Sequence, residues 1–192
     1  MVKIRVPTTP KLGVTRTPDI GVPPRRTAGE NPRNQHATRR TDERDGSVPD
    51  ETTCKALAVA HCERINAGDV EGLLKLYSPA VRFEDPVGGG ERIGHGALRS
   101  HIAGAVTGGV HDAYGEPVAA PDGRHAAVPV TSTVNFLPNG PLMVRYGMLD
   151  TPEDPENARM EYSCTLVIQV GESELIEDMR VYWGRSDVRF VD

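Results

Sequence analysis

VRFEDPVGGG, residues 81–90, changes character half-way along. Val81, Arg82, Phe83 and Glu84 alternate apolar and charged, which is the period of a half-buried strand. Side chains two apart share a face, so Val81 and Phe83 point inward and Arg82 and Glu84 outward. Asp85 then falls on the inward row, where Pro86 and three glycines end the strand. Two readings of Asp85 compete. In an apolar interior, burial raises a carboxylate's pKa toward the working range of a general base. At a strand end, an Asp before Pro also commonly caps a turn.

Working upstream, "PDETTCKALAVAHCERINAGD" reads as a helix, with Thr52 or Thr53 at its start and Gly68 at its end. Leu57, His61 and Ile65 recur every four residues on one face of it. Asp69 caps a short second helix, "VEGLLKLYS", which feeds the strand. Downstream, "GHGALRSHIAGAV" is a third helix, from about residue 96 to 106. Candidate strands follow at 110–118, 125–136, 159–170 and 175–185. Residues 137–158 are long for a hairpin connection, as lids and binding loops often are. Helices gathered first and strands gathered last give an α+β fold, with the helices on one face of a curved sheet that can hold a ligand.

The whole chain has 192 residues and a net charge of -5, unevenly distributed. Residues 1–50 carry ten Lys and Arg against six Asp and Glu, with seven prolines, one Leu and no aromatic residue. Such a segment buries too little apolar surface to offset the entropy of ordering it, and is expected to be a disordered basic tail. A translation start at Val48 would leave it out. The ordered domain is expected over 51–192. Twelve basic against twenty-one acidic residues there argue against nucleic acid as a partner. No apolar run is long enough to span a membrane, and no signal peptide is visible. Cys54, Cys62 and Cys164 form no CxxC pair and no zinc spacing, so they read as free thiols in a cytoplasmic protein.

Several further residues can carry chemistry. In "VHDAY", Val110, Asp112 and Tyr114 share a face. If that face is the inner one, two carboxylates occupy one pocket and can divide into acid and base. If His111 and Ala113 face inward instead, Asp112 is solvated. His61 is either a satisfied core histidine or a group that titrates near neutral pH inside a site. Tyr162, Cys164 and Leu166 share one strand face, where Tyr162 can donate into a pocket or bond to backbone. Met179, Val181 and Trp183 alternate on the last strand as wall or core. With Leu57, Ile65, Phe83, Val110, Tyr114, Val130, Ser132, Cys164 and Leu166 they complete the expected lining of a substrate pocket. The three glycines lack the spacing of a phosphate loop, and the histidines lack a metal spacing.

The order of elements and three motifs resemble the ketosteroid isomerase-like branch of the nuclear transport factor 2-like superfamily, which includes the SnoaL-like polyketide cyclases. "INAGDVEGLLKLYSPAVRFEDPVG" resembles that branch's helices followed by its strand with the EDP(F/V)G signature. "IGHGALRSHI" is similar to its third helix, and "EDMRVYWG" to its final strand. The resemblance implies a cone-shaped mixed sheet wrapped on N-terminal helices, an apolar small-molecule substrate, no cofactor, and Asp85 as a base. It also implies dimerisation through the outer sheet face. At the positions of the steroid isomerase's oxyanion donors this chain has His61 and Leu166. The epoxide hydrolase/cyclases of polyether antibiotic biosynthesis resemble it differently. They carry an Asp at the position of Asp85 and a second acid 27 residues later, which here is Asp112. Epoxide-opening cyclisation of a polyketide intermediate is therefore the expected activity. Steroid-type double-bond isomerisation by Asp85, or binding without catalysis, are the alternatives.

Overall fold

The computed structural model describes residues 49–191. The expected basic tail lies outside the described residues except for its last two positions.

Helix α1 (Glu51–Asn66) is capped by Asp50, whose Oδ1 accepts from the Thr53 amide at 2.7 Å. The cap was expected at Thr52 or Thr53. A carboxylate three residues before that amide is the stronger acceptor, and it also faces the positive end of the helix. Gly68, at φ 65°, takes the chain out of the helix as expected. Helix α2 (Val70–Leu74) is capped by Asp69 Oδ1 on the Gly72 amide at 2.8 Å. It is shorter than its sequence suggests. Tyr77 already pairs with Ile176, and its ring is buried, so sheet pairing overrides the helical tendency of KLYS.

Strand β1 (Tyr77–Glu84) is followed by β2 (Arg92–Ile93) and helix α3 (Gly94–Thr107). Next come β3 (His111–Tyr114), β4 (Val118–Ala119) and β5 (His125–Asn135). The expected single strand over 110–118 is thus two pieces. Gly115 donates to the Pro129 carbonyl, but Pro129 has no N–H to return, and Pro117 interrupts the chain before β4. Helix α4 (Gly140–Arg145) lies in the long connection to β6 (Arg159–Val170). The strand expected over 175–185 is β7 (Ile176–Tyr182), which stops short of residue 185. A 3-10 turn at Arg185–Asp187 leads into β8 (Val188–Val191), a strand that the sequence reading did not include.

The sheet runs β2-β1-β7-β6-β5-β3, with β4 also on β5 and β8 also on β6. Only β1 and β7 are parallel, so the sheet is mixed. Strand β6 pairs with β7 through residues 165–170 and with β8 through residues 159–162. Inward rows alternate cleanly along β5, where Ala126, Val128, Val130, Ser132 and Val134 are all buried. Ala126, Val128 and Val130 meet Cys54, Ala58, Cys62 and Ile65 of α1 and Leu98 and Ile102 of α3 in one core. A second cluster of Val134, Phe136, Leu149 and Met160 anchors the long connection beside Val110 and Tyr162. Among the described residues no helix is long and apolar enough to cross a membrane.

Candidate active site

The alternation in β1 holds. Val81 and Phe83 are fully buried, while Arg82 and Glu84 pair on the other face with Asp178 (3.1 Å) and Arg180 (3.0 Å). Glu84 also explains the glycines. Its Oε1 accepts from the amides of Gly88 (2.8 Å) and Gly90 (3.0 Å). Those two residues have φ of 95° and 102°, which only glycine adopts without strain.

Asp85 points inward with both oxygens occupied. Oδ2 accepts from His101 Nε2 at 2.9 Å and Oδ1 from Trp183 Nε1 at 2.8 Å. Arg92 completes the group, because one nitrogen lies 3.2 Å from His101 Nδ1 and another donates to the Asp85 carbonyl at 3.1 Å. Burial pushes the Asp85 carboxyl up. The hydrogen bond from His101, the charge of its ring when protonated, the Trp183 donor and the Arg92 charge outweigh it, and the group ends below the ordinary carboxylate value. The expectation of a raised pKa is thereby corrected: donors aimed at the anion offset the loss of water.

Asp112 is buried and faces the same cavity. Ser132 stands directly opposite it on β5. The Asp112 amide and carbonyl bond to the side chain of Asn66 at 2.7 and 2.9 Å, not to β5. Asp112 and Ser132 therefore form a non-hydrogen-bonded pair, the kind in which facing side chains approach most closely. Burial raises the Asp112 carboxyl. Ser132 opposes the rise and the negative Asp85 adds to it, leaving the group above its ordinary value.

His61 Nδ1 meets the buried Tyr77 hydroxyl at 2.6 Å. Burial brings the His61 pKa down to about 4, so the ring is neutral at neutral pH. The Tyr162 hydroxyl is pushed up by burial and by the two carboxylates, and its ring stacks at 5.0 Å on Trp183. Burial also carries the Cys62 and Cys164 thiols to about 12, so both are inert walls.

These groups line one cavity of about 80 Å³. The sheet register makes its wall continuous. Val130 lies beside Cys164, Ser132 beside Tyr162, and Leu166 beside Val181. Helix α1 closes it with His61, Cys62 and Ile65, and α3 with His101, Ile102 and Ala105.

The sequence profile of the SnoaL-like domain matches residues 58–179. The chain belongs to the SnoaL-like family. Within that family it is 51% identical over 147 residues to epoxide hydrolase LasB of Streptomyces lasalocidi. The match covers 76% of this chain and 52% of LasB, so the chain spans about half the length of that relative. SalBIII, an epoxide hydrolase/cyclase-like enzyme described in pyran ring formation in polyether salinomycin, superposes with a TM-score of 0.61. Its identity is 25%, over 71% of this chain and 95% of that one. RV0760c of Mycobacterium tuberculosis, solved with estradiol-17beta-hemisuccinate, shares the fold at TM-score 0.56 and 20% identity, over 72% of this chain and 98% of that one.

On this SnoaL-like scaffold, the cavity gathers Asp85, Asp112, His61 and Tyr162. It also gathers the expected wall residues Ile65, Val110, Val130, Ser132, Cys164, Leu166, Met179 and Val181. Four other expected wall residues lie elsewhere. Leu57 packs into the core one turn before His61, because a spacing of four advances about 40° around a helix and the row drifts off the cavity. Phe83 is core, with the Arg92 guanidinium 4.5 Å above its ring and His101 at 5.6 Å. Tyr114 is exposed where β3 breaks, and its hydroxyl donates to Glu63 of α1 at 3.3 Å. Trp183 touches the site through its indole N–H and not as wall. The sequence reading missed His101 as a partner of Asp85, along with Arg92 and Asn66. Position 101 does lie on the α3 turn that carries the buried Leu98 and Ile102, which was the available signal.

Proposed function

We propose that this chain opens an epoxide by attack of a hydroxyl group of the same molecule, with Asp85 as base and Asp112 as acid. One observation carries the reading: two carboxyl groups face one cavity with their acidities pushed apart, Asp85 down and Asp112 up. Such a split is how a single pocket keeps one group ionised and the other protonated. The names of LasB and SalBIII support the same chemistry.

In the step, Asp85 takes the proton of the substrate hydroxyl as its oxygen bonds to an epoxide carbon. The carbon–oxygen bond of the epoxide breaks, and Asp112 gives its proton to the departing oxygen. The product is a cyclic ether with a new hydroxyl, an isomer of the substrate. Asp85 leaves the step protonated and Asp112 ionised, and one proton exchanged through solvent resets the pair. Neutral His61 and the Tyr162 hydroxyl line the path as fixed polar groups. The thiols and aliphatic side chains keep water from competing with the internal nucleophile.

The substrate class is an apolar epoxy alcohol of polyketide type. The cavity is smaller than the roughly 300–1,000 Å³ of drug-sized sites, so the reacting end enters and the rest of the molecule lies across the mouth. Double-bond isomerisation is less well served, because Leu166 offers no donor to an enolate.

The test is turnover of a synthetic 4,5-epoxy alcohol in ¹⁸O-labelled water by wild type, Asp85→Asn and Asp112→Asn. A cyclic ether without label, with losses of about 10²–10⁴-fold in each variant, is expected. Wild-type turnover by Asp85→Asn would overturn the assignment, and a labelled diol would replace cyclisation by hydrolysis.

A further inference from the structure

We propose that Arg92 and His101 form a positioning pair that locks Asp85 as an aligned, ionised carboxylate, so that its competence as a base depends on the tautomer of His101. The inference rests on the reading of Asp85 as the base. It starts from a count of donors. A guanidinium has only N–H donors, so at 3.2 Å His101 Nδ1 must be the acceptor. That leaves the ring proton of neutral His101 on Nε2, which faces Asp85 Oδ2 at 2.9 Å. Both ring nitrogens are thus committed. His101 lines the cavity with ring edge, and has no free nitrogen with which to take a substrate proton.

Arg92 is itself fixed. Its guanidinium lies over the Phe83 ring, two residues before Asp85 on the same inward row, and a second nitrogen donates to the Asp85 carbonyl. One side chain therefore holds the backbone of Asp85 directly and its carboxylate through His101. Lysine donates from one nitrogen only and lacks the planar fork whose two nitrogens reach the two acceptors. Trp183 secures the other oxygen from the opposite side. The remaining titratable groups facing Asp85 are His61 from α1, Tyr77 from β1, Asp112 from β3, and Tyr162 and Cys164 from β6. None of them donates a hydrogen bond to it.

The experiment compares full-length wild type with His101→Gln, His101→Asn and Arg92→Lys. Gln places a donor where Nε2 stands, and Asn leaves only a group near Nδ1. The first readout is NMR, which needs no substrate: ¹⁵N shifts of His101 and the ¹³C titration of the Asp85 carboxyl. Wild type should show the Nε2–H tautomer. The Asp85 midpoint should rise in His101→Asn and return toward wild type in His101→Gln. The second readout is the pH profile of kcat/KM for the epoxy alcohol. Losing a donor to the anion raises the pKa of the base, so the acid limb should move to higher pH in His101→Asn. The kcat should fall by about 10²-fold, as for a misplaced reacting group, with KM little changed. Arg92→Lys should give mixed His101 tautomers. An Nδ1–H tautomer in wild type, or an Asp85 midpoint that ignores His101→Asn in a folded variant, overturns the proposal. If no substrate turns over while the NMR results hold, the epoxide reading fails and the positioning pair stands.

Discussion

Ser132 Oγ donates to Asp112 Oδ1 at 2.6 Å from the position directly across the ladder. The bond steadies the Asp112 carboxyl and lowers the share that holds a proton, because a donor favours the ionised form. In Ser132→Ala that stabilisation is gone and the Asp112 carboxyl titrates at still higher pH. The basic limb of the kcat/KM profile should shift upward while kcat falls through lost alignment. An unchanged basic limb would take Asp112 out of the acid role.

Tyr77 supplies the one partner of His61 Nδ1 among the described residues. Tyr77→Phe keeps the ring and strands that nitrogen in the core. A loss of about 1–3 kcal/mol in urea unfolding is expected, as for a buried polar group left without a partner. Tyr77 also approaches the Met179 sulfur at 3.1 Å, a weaker contact that should contribute little. Stability equal to wild type would mean that His61 finds another partner.

His61 is 5% exposed, and its folded pKa of about 4 lies below the ordinary 6.5. For a group with a depressed folded pKa, the stability is present above the unfolded value and is lost as pH falls through the folded one. The window is therefore pH 6.5 down to about 4, across which the unfolded chain binds the extra proton. The loss is on the order of 3 kcal/mol. Asp112, with its raised folded pKa, works in the opposite direction over the acid range, so the comparison must be with His61→Gln. Melting temperatures measured every half unit should slope less in that variant. An equal slope would refute the buried neutral imidazole.

Glu84 ties Gly88 and Gly90 to β1 and, through its other oxygen, to Arg180 of β7. Glu84→Ala frees both glycine amides at the turn that follows Asp85. Hydrogen exchange at those two amides should accelerate strongly while the β6 and β7 amides keep their protection. Glu84→Gln retains an acceptor oxygen and should exchange at an intermediate rate. Uniform exchange across the sheet would show that Glu84 supports the whole fold and not the turn.

The inward place of Asp85 was legible because a strand has a fixed period of two and its neighbours Val81 and Phe83 are unambiguous. Asp112 is open in the sequence, since "VHDAY" fits either face. What settled it is Asn66, a polar side chain whose partner lies 46 positions away and leaves no local pattern. His101 escaped for the same reason. A histidine on a helix announces nothing until β1 and α3 pack together. The direction of the Asp85 pKa was misjudged because burial can be guessed from pattern, whereas the count of donors around a carboxylate cannot. Strand β8 was missed because it pairs with the half of β6 that β7 leaves free, a consequence of one long strand serving two partners.

Asn66 does more than hold Asp112. Strand β3 is the last in the sheet, and such a rim bares donors and acceptors that invite another chain to add on. By taking both the amide and the carbonyl of Asp112, the Asn66 side chain stands in for the missing neighbouring strand at the second of only four residues. The run that remains is too short to template an intermolecular ladder. The clasp that orients Asp112 thus also guards this edge against aggregation.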